Sequence, residues 1–149
     1  MEINQLISEE RVFLDEYVEN KDDLFKKVDQ KALEMGIINK KGVLYEALLK
    51  REEESSTAFD DGFAIPHGKA EGILKPAIFI YRLANKIDWE SLDGSNTNIA
   101  IILAIPKTEE TNTLHLKIIS GVARKLIYDD FRNNMKNAKT PKEIIELLQ

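Results

Sequence analysis

The chain has 149 residues, of which 43% are hydrophobic and 32% are charged, and its formal net charge at pH 7 is −5. This length fits one domain with its own hydrophobic core, and the composition is that of an ordinary globular protein. The negative charge argues against nucleic-acid binding, which needs clustered Lys and Arg. Because the chain has no cysteine, disulfides, thiolate metal sites and cysteine nucleophiles are excluded.

The sequence also lacks membrane and export signals. No apolar run approaches the roughly 18 to 20 residues that span a bilayer, and residues 1–5 lack the basic and apolar regions of a signal peptide. There is no internal repeat and no Pro/Gly/Ser-rich linker. We therefore expect a cytoplasmic protein in which residues 1–149 form one domain.

The first third of the chain predicts a strand and a helix. Residues 9–18 alternate loosely and predict a strand whose inward side chains are Val12, Leu14 and Tyr17. A helix is expected to begin at an N-cap formed by Asp22 or Asp23 and to continue through Met35, before Gly36. Its apolar stripe consists of Leu24, Phe25, Val28, Ala32 and Met35.

A second helix is predicted from about residue 41 to residue 53. Leu44, Ala47 (with Leu48) and Arg51 fall on one face of it, so Arg51 prolongs an apolar stripe and should point inward. An arginine at a helix end most often pairs with the helix dipole or with a carboxylate. An inward arginine can instead place its guanidinium fork on a phosphate or a carboxylate.

Polar residues follow this helix. Ser55, Ser56 and Thr57 form a small hydroxyl cluster beside Arg51, although such a cluster alone normally indicates a turn. The acidic runs 52–54 and 60–61 are expected to be solvated, or to form an acidic rim for a basic partner.

His67 lies at the end of the apolar run in Gly62–Gly68. Gly62–Pro66 predicts a short strand, with Pro66 at a strand end or edge, so the imidazole is expected at the tip of that strand. Pro66 stiffens the approach and Gly68 lets another backbone come close. This setting suits a reactive group that meets a second protein, and the alternative is a surface histidine without a role.

The second half of the chain alternates strands and helices. Strands are predicted at residues 77–83 and 98–105, with a turn at Asp93-Gly94 between them and with the second strand buried on both faces. Helices are predicted from a cap at Asn112 or Thr113 to about residue 128, over 131–138, and over 141–148 with Thr140 as N-cap. The pattern predicts an α/β fold, with a mixed, mostly parallel sheet of about five strands flanked by helices on both faces.

His115 is the second candidate for chemistry. It shares a helix face with Ile118, Val122 and Leu126, and it is expected in the first turn. A histidine on such a face is usually a core residue. At a helix N-terminus, however, it could receive an anion, including a phosphate on His67 if the two residues approach.

Zinc binding is a weaker alternative. Two histidines make a poor zinc site without a third ligand. Asp60, Asp61 or Glu71 could supply that ligand, but no spacing in the sequence indicates it.

The stretch from Arg51 to Lys69, which reads REEESSTAFDDGFAIPHGK, resembles the enzyme IIA signature of the bacterial phosphoenolpyruvate-dependent sugar phosphotransferase system. The fructose/mannitol branch, which includes nitrogen-regulatory paralogues, is the one it is similar to. The later stretches 104–106 and 115–116 match the second block of that family. Trp89 also falls where such sequences often have a tryptophan.

This resemblance implies a complete phosphoryl relay without a cofactor or a metal. It implies that His67 is phosphorylated at Nε2 by the histidine phosphocarrier protein and passes the group to a cysteine of an enzyme IIB, with association to a membrane-bound enzyme IIC complex. By the same resemblance, His115 hydrogen-bonds the phosphate, Arg51 helps to neutralise it, and Ser56 and Thr57 support it. The family commonly has glycine at positions 58 and 60, where this chain has Ala and Asp, which would restrict a positive φ.

Three functions follow as alternatives. The first is a phosphocarrier for sugar uptake, and the second is a nitrogen-regulatory-type binding module whose contacts depend on the phosphorylation of His67. The third is a small hydrolase or metal protein that uses both histidines.

Overall fold

The computed structural model describes residues 3–108 and 111–149, without the side chains of Asn4, Thr111 and Asn112. Two 3₁₀ turns, Ile3–Gln5 and Glu9–Arg11, precede the first strand. The strands are β1 (Val12–Glu16), β2 (Phe63–Ala64), β3 (His67–Ala70), β4 (Ala77–Ile87) and β5 (Thr97–Pro106). The helices are α1 (Lys21–Glu34), α2 (Val43–Glu54), α3 (Thr111–Lys125), α4 (Asp129–Asn137) and α5 (Pro141–Leu148).

The five strands form one mixed sheet. β1 pairs in parallel with β4, β4 pairs antiparallel with β5, and both β2 and β3 pair in parallel with β5. Among these five strands, antiparallel pairing is therefore confined to β4 and β5, and the predicted mixed, mostly parallel sheet is confirmed.

Each face of the sheet is covered by its own helices, because the central strands alternate apolar side chains between two cores. In β5, Ala100, Ile102 and Ala104 face the core that contains the buried residues of α1 and α2. The intervening residues Ile99, Ile101, Leu103 and Ile105 face the core that contains the buried residues of α3, α4 and α5. Such runs are expected of strands buried on both faces, and the predicted placement of helices on both sides is confirmed.

The start of α2 is held by a carboxylate from α1. Asp29 is only 3% exposed. Its side chain accepts hydrogen bonds from the backbone N–H groups of Gly42 (2.8 Å), Leu44 (3.0 Å) and Tyr45 (3.0 Å). These N–H groups at a helix N-terminus have no partner within the helix. Asp29 thus caps α2 from another element and fixes the helix that carries Arg51 at its other end.

Two expectations about the N-terminal elements are wrong. Tyr17 does not face inward, since it is 60% exposed and β1 ends at Glu16 after an irregularity at Asp15, whose φ is +60°. The N-cap of α1 is Asn20, whose side-chain oxygen accepts from the N–H of Asp23. Asp23 is therefore inside the helix and provides the donor of the capping bond.

His67 begins a strand and does not end one. The segment predicted as one strand, Gly62–Pro66, contains β2 and then a break at Pro66, and β3 begins at His67. Both strands pair with β5, and the carbonyl of Pro66 accepts from the N–H of Leu103 at 2.9 Å. The apolar pattern could not reveal the break, because the chain stays beside β5 on both sides of it.

The three C-terminal helices are present as predicted, but α3 ends at Lys125 and not near residue 128, and α4 begins at Asp129, two residues early. Asn112 and Thr113 lie inside α3, so neither is its N-cap, and residues 109–110 are outside the described part of the chain. His115 is consequently the fifth helical residue and lies beyond the first turn. Thr140 caps α5 as predicted, because its hydroxyl accepts from the N–H of Glu143 at 3.2 Å. Among the described helices, none is both long enough and apolar enough to cross a membrane.

Candidate active site around His67

The imidazole of His67 is held by a hydrogen bond on each ring nitrogen. Nδ1 lies 2.9 Å from the carbonyl oxygen of Ile65, and Nε2 lies 3.0 Å from Nε of Arg51. A carbonyl oxygen can only accept and a guanidinium N–H can only donate. The ring is therefore neutral, with its proton on Nδ1 and its lone pair on Nε2.

Arg51 reaches His67 from the last turn of α2. Its position follows from the predicted inward face of that helix, where Leu44 and Leu48 are fully buried. The guanidinium also donates from Nη1 to the carbonyl oxygen of Ser55 at 2.8 Å, and its Nε lies 3.7 Å from the carboxylate of Glu54. Arg51 thus has further partners beside the hydrogen bond to the histidine.

His115 completes the site from the other side of the sheet edge. The ring centroids of His67 and His115 are 5.9 Å apart. Both rings and Arg51 line one open cavity of about 290 Å³, to which Lys50 and Lys69 also contribute. The cavity therefore gathers both histidines of the chain with three cationic side chains and one carboxylate, that of Glu54, so its lining is positive on balance and suits an anion such as phosphate.

The environment keeps His67 uncharged. Burial of the ring lowers the pKa of His67 below the ordinary value of 6.5. The hydrogen bond to Ile65 and the charge of Glu52 raise this pKa, whereas the positive charge of Arg51 and the neighbouring His115 lower it further. The net direction is downward, so the neutral, nucleophilic form of the imidazole predominates at pH 7.

The structure gives the predicted hydroxyl pair other partners. The hydroxyl of Ser56 donates to the carbonyl oxygen of Glu90, and the hydroxyl of Thr57 donates to the carboxylate of Glu52. Neither Ser56 nor Thr57 is among the residues that line the cavity. The structure therefore brings Arg51 and His115 to His67 but leaves these two hydroxyls outside the cavity, bonded to Glu90 and Glu52.

Positions 58 and 60 adopt backbone conformations that their side chains permit. In the described part of the chain, the non-glycine residues with positive φ are Asp15 and Asp61, so Ala58 and Asp60 are not among them. Ala58 forms an antiparallel bridge with Ala64. The sharp turn before β2 is made by Asp61 and Gly62, with φ of +60° and +84°.

Glu52 is the residue near the site that the sequence analysis missed. The acidic run 52–54 was expected to be solvated, but the side chain of Glu52 is only 6% exposed. It accepts from Thr57 and from Nε1 of Trp89, the latter at 3.3 Å. Only the helical spacing from Leu48 could have indicated an inward position.

The second acidic run agrees with the prediction of solvated side chains, since even the side chain of Asp61 is 41% exposed. Asp60 is exposed, but Asp61 pairs with Arg132 at 3.0 Å and with Lys136 at 2.5 Å. These two cations hold the pKa of Asp61 below its usual value. In the described residues, no group of three or more His, Asp and Glu side chains is arranged to hold a metal ion.

Residues 5–149 match the family described as phosphoenolpyruvate-dependent sugar phosphotransferase system, EIIA 2. The chain belongs to this family. A fructose-like EIIA component of Escherichia coli (strain K12) is 34% identical to it over 117 residues, which are 78% of this chain and 77% of that protein. The fructose-specific EIIABC component of Bacillus subtilis (strain 168) is 29% identical over 148 residues, but this chain spans only 23% of that protein. Phosphotransfer is thus the general role of this enzyme IIA domain.

Solved structures share the fold of this enzyme IIA domain. The nitrogen regulatory protein IIA-Ntr of Neisseria meningitidis superposes with a TM-score of 0.90, covering 99% of each chain at 24% identity. Enzyme IIA in a complex with phosphorylated enzyme IIB from the mannitol system of Escherichia coli gives a TM-score of 0.77, covering 95% of this chain and 96% of that one at 18% identity. The type-2 enzyme IIA fold expected from the resemblance is therefore confirmed.

Proposed function

We propose that this enzyme IIA accepts a phosphoryl group on Nε2 of His67 from the histidine phosphocarrier protein and passes it to a cysteine of an enzyme IIB. The observation that carries the proposal is the pair of hydrogen bonds on the His67 ring, from Nδ1 to Ile65 and from Arg51 to Nε2. Together they leave a single nucleophilic nitrogen on the ring, beside an open cavity of about 290 Å³ that has room for a phosphoryl group.

In the first transfer, the lone pair of Nε2 attacks phosphorus and the P–N bond to the histidine of the donor breaks. The donor imidazole leaves with the electrons of that bond. The Nδ1 proton of His67 stays on the ring, where the carbonyl of Ile65 stabilises the positive charge that the ring acquires. No proton has to enter or leave the site, and catalysis rests on positioning and charge stabilisation.

Arg51 and His115 are the groups proposed to stabilise the transferred group. Arg51 must release Nε2 before the P–N bond can form, and its guanidinium fork then reaches the phosphoryl oxygens. The ring centroid of His115 lies 5.9 Å from that of His67, so His115 can donate a hydrogen bond to a phosphoryl oxygen. Ser56 and Thr57 are proposed to act indirectly, by holding the loop behind the site.

In the second transfer, a thiolate attacks phosphorus and the bond to Nε2 breaks, which returns the neutral ring with its proton on Nδ1. This chain contains no cysteine, so the acceptor belongs to another domain or protein. The solved complex of a mannitol enzyme IIA with phosphorylated enzyme IIB supports such a partner. The proposal places the relay in the cytoplasm, at the membrane-bound enzyme IIC complex.

The sugar-uptake branch is favoured over a regulatory one. The relatives at 29% and 34% identity are fructose-type components, whereas the nitrogen regulatory protein is similar in fold. A stable complex of the phosphorylated or unphosphorylated form with a transporter, kinase or transcription factor, without transfer to any enzyme IIB, would favour the regulatory role.

The experiment is incubation with phosphoenolpyruvate, enzyme I and the histidine phosphocarrier protein, followed by intact mass measurement before and after acid treatment. The proposal predicts one acid-labile phosphoryl group on the wild type and none on His67→Gln. Labelling of the His67→Gln variant to the wild-type level would refute the assignment. His115→Gln serves as the matched control, because it should still accept the group.

A further inference from the structure

We propose that Glu52 is a positioning residue for the His67 imidazole, and that its carboxylate sets both hydrogen bonds on that ring through Thr57 and the end of α2. The inference rests on the proposed function of His67 as the phosphoryl acceptor. It assigns a role to a side chain that does not line the cavity and does not contact His67 directly.

The Glu52 carboxylate is buried and collects donors from three separate parts of the chain. Its oxygens accept from the hydroxyl of Thr57, from the backbone N–H of Thr57 at 3.3 Å, and from Nε1 of Trp89 at 3.3 Å. The ammonium group of Lys21, at the start of α1, lies 3.8 Å away and also stands over the Trp89 ring. A buried carboxylate is tolerated only when it is paired and hydrogen-bonded in this way.

The first effect of Glu52 is on the hydrogen bond at Nδ1 of the His67 imidazole. The peptide carbonyl of Thr57 accepts from the N–H of Ile65 at 3.0 Å. The carbonyl of Ile65 in turn accepts from Nδ1 of His67 at 2.9 Å. Glu52 therefore holds Thr57, Thr57 holds Ile65, and Ile65 selects the ring tautomer. The backbone carbonyls of Thr57 and Ile65 thus connect the Glu52 carboxylate to the His67 ring.

The second effect of Glu52 is on the hydrogen bond that Arg51 donates to Nε2 of His67. Glu52 is the neighbour of Arg51 in the last turns of α2, and helix ends are where hydrogen bonding is weakest. The bonds from Glu52 to Thr57 and Trp89 tie this end of the helix to the following loop and to the segment after β4. Arg51, whose Nε donates to Nε2 at 3.0 Å, is thereby held at the distance that keeps Nε2 unprotonated.

The chemistry requires a carboxylate and not only a side chain of that size. Both groups of Thr57 and the indole N–H of Trp89 act as donors toward Glu52. A glutamine in the same place would turn its NH₂ group toward at least one donor, since only its oxygen can accept. Glu52→Gln is thus nearly isosteric, but it breaks the network that leads to His67.

The test compares Glu52→Gln with Glu53→Gln, which makes the same change at the exposed neighbouring position. The tautomer of His67 is read from ¹⁵N shifts of the ring nitrogens in the unphosphorylated protein, and the rate of transfer from the histidine phosphocarrier protein is measured separately. We expect Glu52→Gln to raise the Nε2–H fraction and to slow transfer by about 10- to 100-fold, the range known for loss of the partners that orient metal-bound histidines. Glu53→Gln should match the wild type in both measurements.

A second pair of variants covers the case in which Glu52→Gln does not fold. Thr57→Val removes the hydroxyl that binds Glu52, and Thr57→Ser retains it, so only the valine variant should shift the tautomer. An unchanged Nδ1–H tautomer in Glu52→Gln, or in Thr57→Val if the first variant is unfolded, would overturn the inference even if transfer were slower. If the wild type itself accepts no phosphoryl group, the proposed function fails, while the tautomer comparison still decides the role of Glu52.

Discussion

Nε of Arg51 donates a hydrogen bond to Nε2 of His67 across 3.0 Å, so the nitrogen proposed to attack phosphorus is occupied at rest. The same guanidinium also binds the carbonyl of Ser55 at 2.8 Å. Arg51 can therefore leave the ring without losing every partner. This arrangement gives one residue two successive tasks, which are to keep Nε2 free of a proton and then to bind the phosphoryl oxygens.

Replacing the guanidinium group of Arg51 tests its two proposed roles. Arg51→Lys keeps the positive charge but cannot bind two oxygens and the ring with planar geometry. We expect phosphoryl transfer from the histidine phosphocarrier protein to slow by about 100-fold, the cost of losing one preorganised donor in other enzymes. Rapid-quench kinetics measure this, with the exposed Arg124→Lys as the matched control. Equal rates for the two variants would contradict the role of Arg51.

The pH dependence follows from the lowered pKa of His67. The neutral ring is the acceptor, and its pKa lies below 6.5 because of burial and the charges of Arg51 and His115. The acceptance rate should therefore decline as the pH falls, with a midpoint below the ordinary histidine value of 6.5. An NMR titration of the ring with its midpoint at or above 6.5 would contradict this.

The same titration separates the contribution of Arg51. Removing its positive charge in Arg51→Gln removes one cause of the lowered pKa of His67, so the midpoint should rise. Arg51→Lys retains the charge and should show a smaller change. A midpoint that falls in Arg51→Gln would contradict this, because loss of the charge and any gain of solvent access at the ring both raise the pKa of His67.

His115 is expected to matter more for the second transfer than for the first. His115→Ala removes a ring whose centroid lies 5.9 Å from that of His67 and which could donate to the phosphoryl group. We expect acceptance to persist while transfer to enzyme IIB slows by about tenfold or more. His115→Asn, which retains a donor, should recover part of the rate. Wild-type kinetics for both transfers in His115→Ala would count against the pairing.

Two glycines give opposite predictions for stability. A Cβ on Gly68 would lie 2.8 Å from Cβ of Ala47 and 3.1 Å from the backbone N of Leu48, whereas one on Gly121, within α3, would meet only Ile3 at 3.7 Å. Gly68→Ala should therefore lower the free energy of unfolding by about 1–3 kcal/mol. Gly121→Ala should raise it by about 0.5–1 kcal/mol. Urea denaturation measures both, and a stable Gly68→Ala protein would contradict the close approach of β3 to α2.

The main residues of the site could be predicted from the sequence, because their placement depends on local patterns. The apolar stripe of α2 placed Arg51 on the inward face, and the glycine after His67 indicated the close approach to another backbone. That backbone belongs to α2 of the same chain. The period of α3 put His115 on the face that meets the sheet.

What the sequence could not predict depends on partners far apart in the chain. Glu52 is buried because Trp89, 37 residues away, donates to it, while its acidic neighbours at 53 and 54 are exposed. Asp29 caps a helix that begins 14 positions later, at Val43. A hydrogen bond of this kind has no periodicity, so a pattern of apolar residues does not reveal it.

The most direct test of the account is the position of the phosphoryl group on the ring. Uniformly ¹⁵N-labelled protein, phosphorylated through the histidine phosphocarrier protein, is examined by ¹⁵N and ³¹P NMR. The account predicts a P–N bond at Nε2 of His67, with Nδ1 still protonated toward the Ile65 carbonyl. A phosphoryl group on Nδ1 of His67, or on His115, would contradict it.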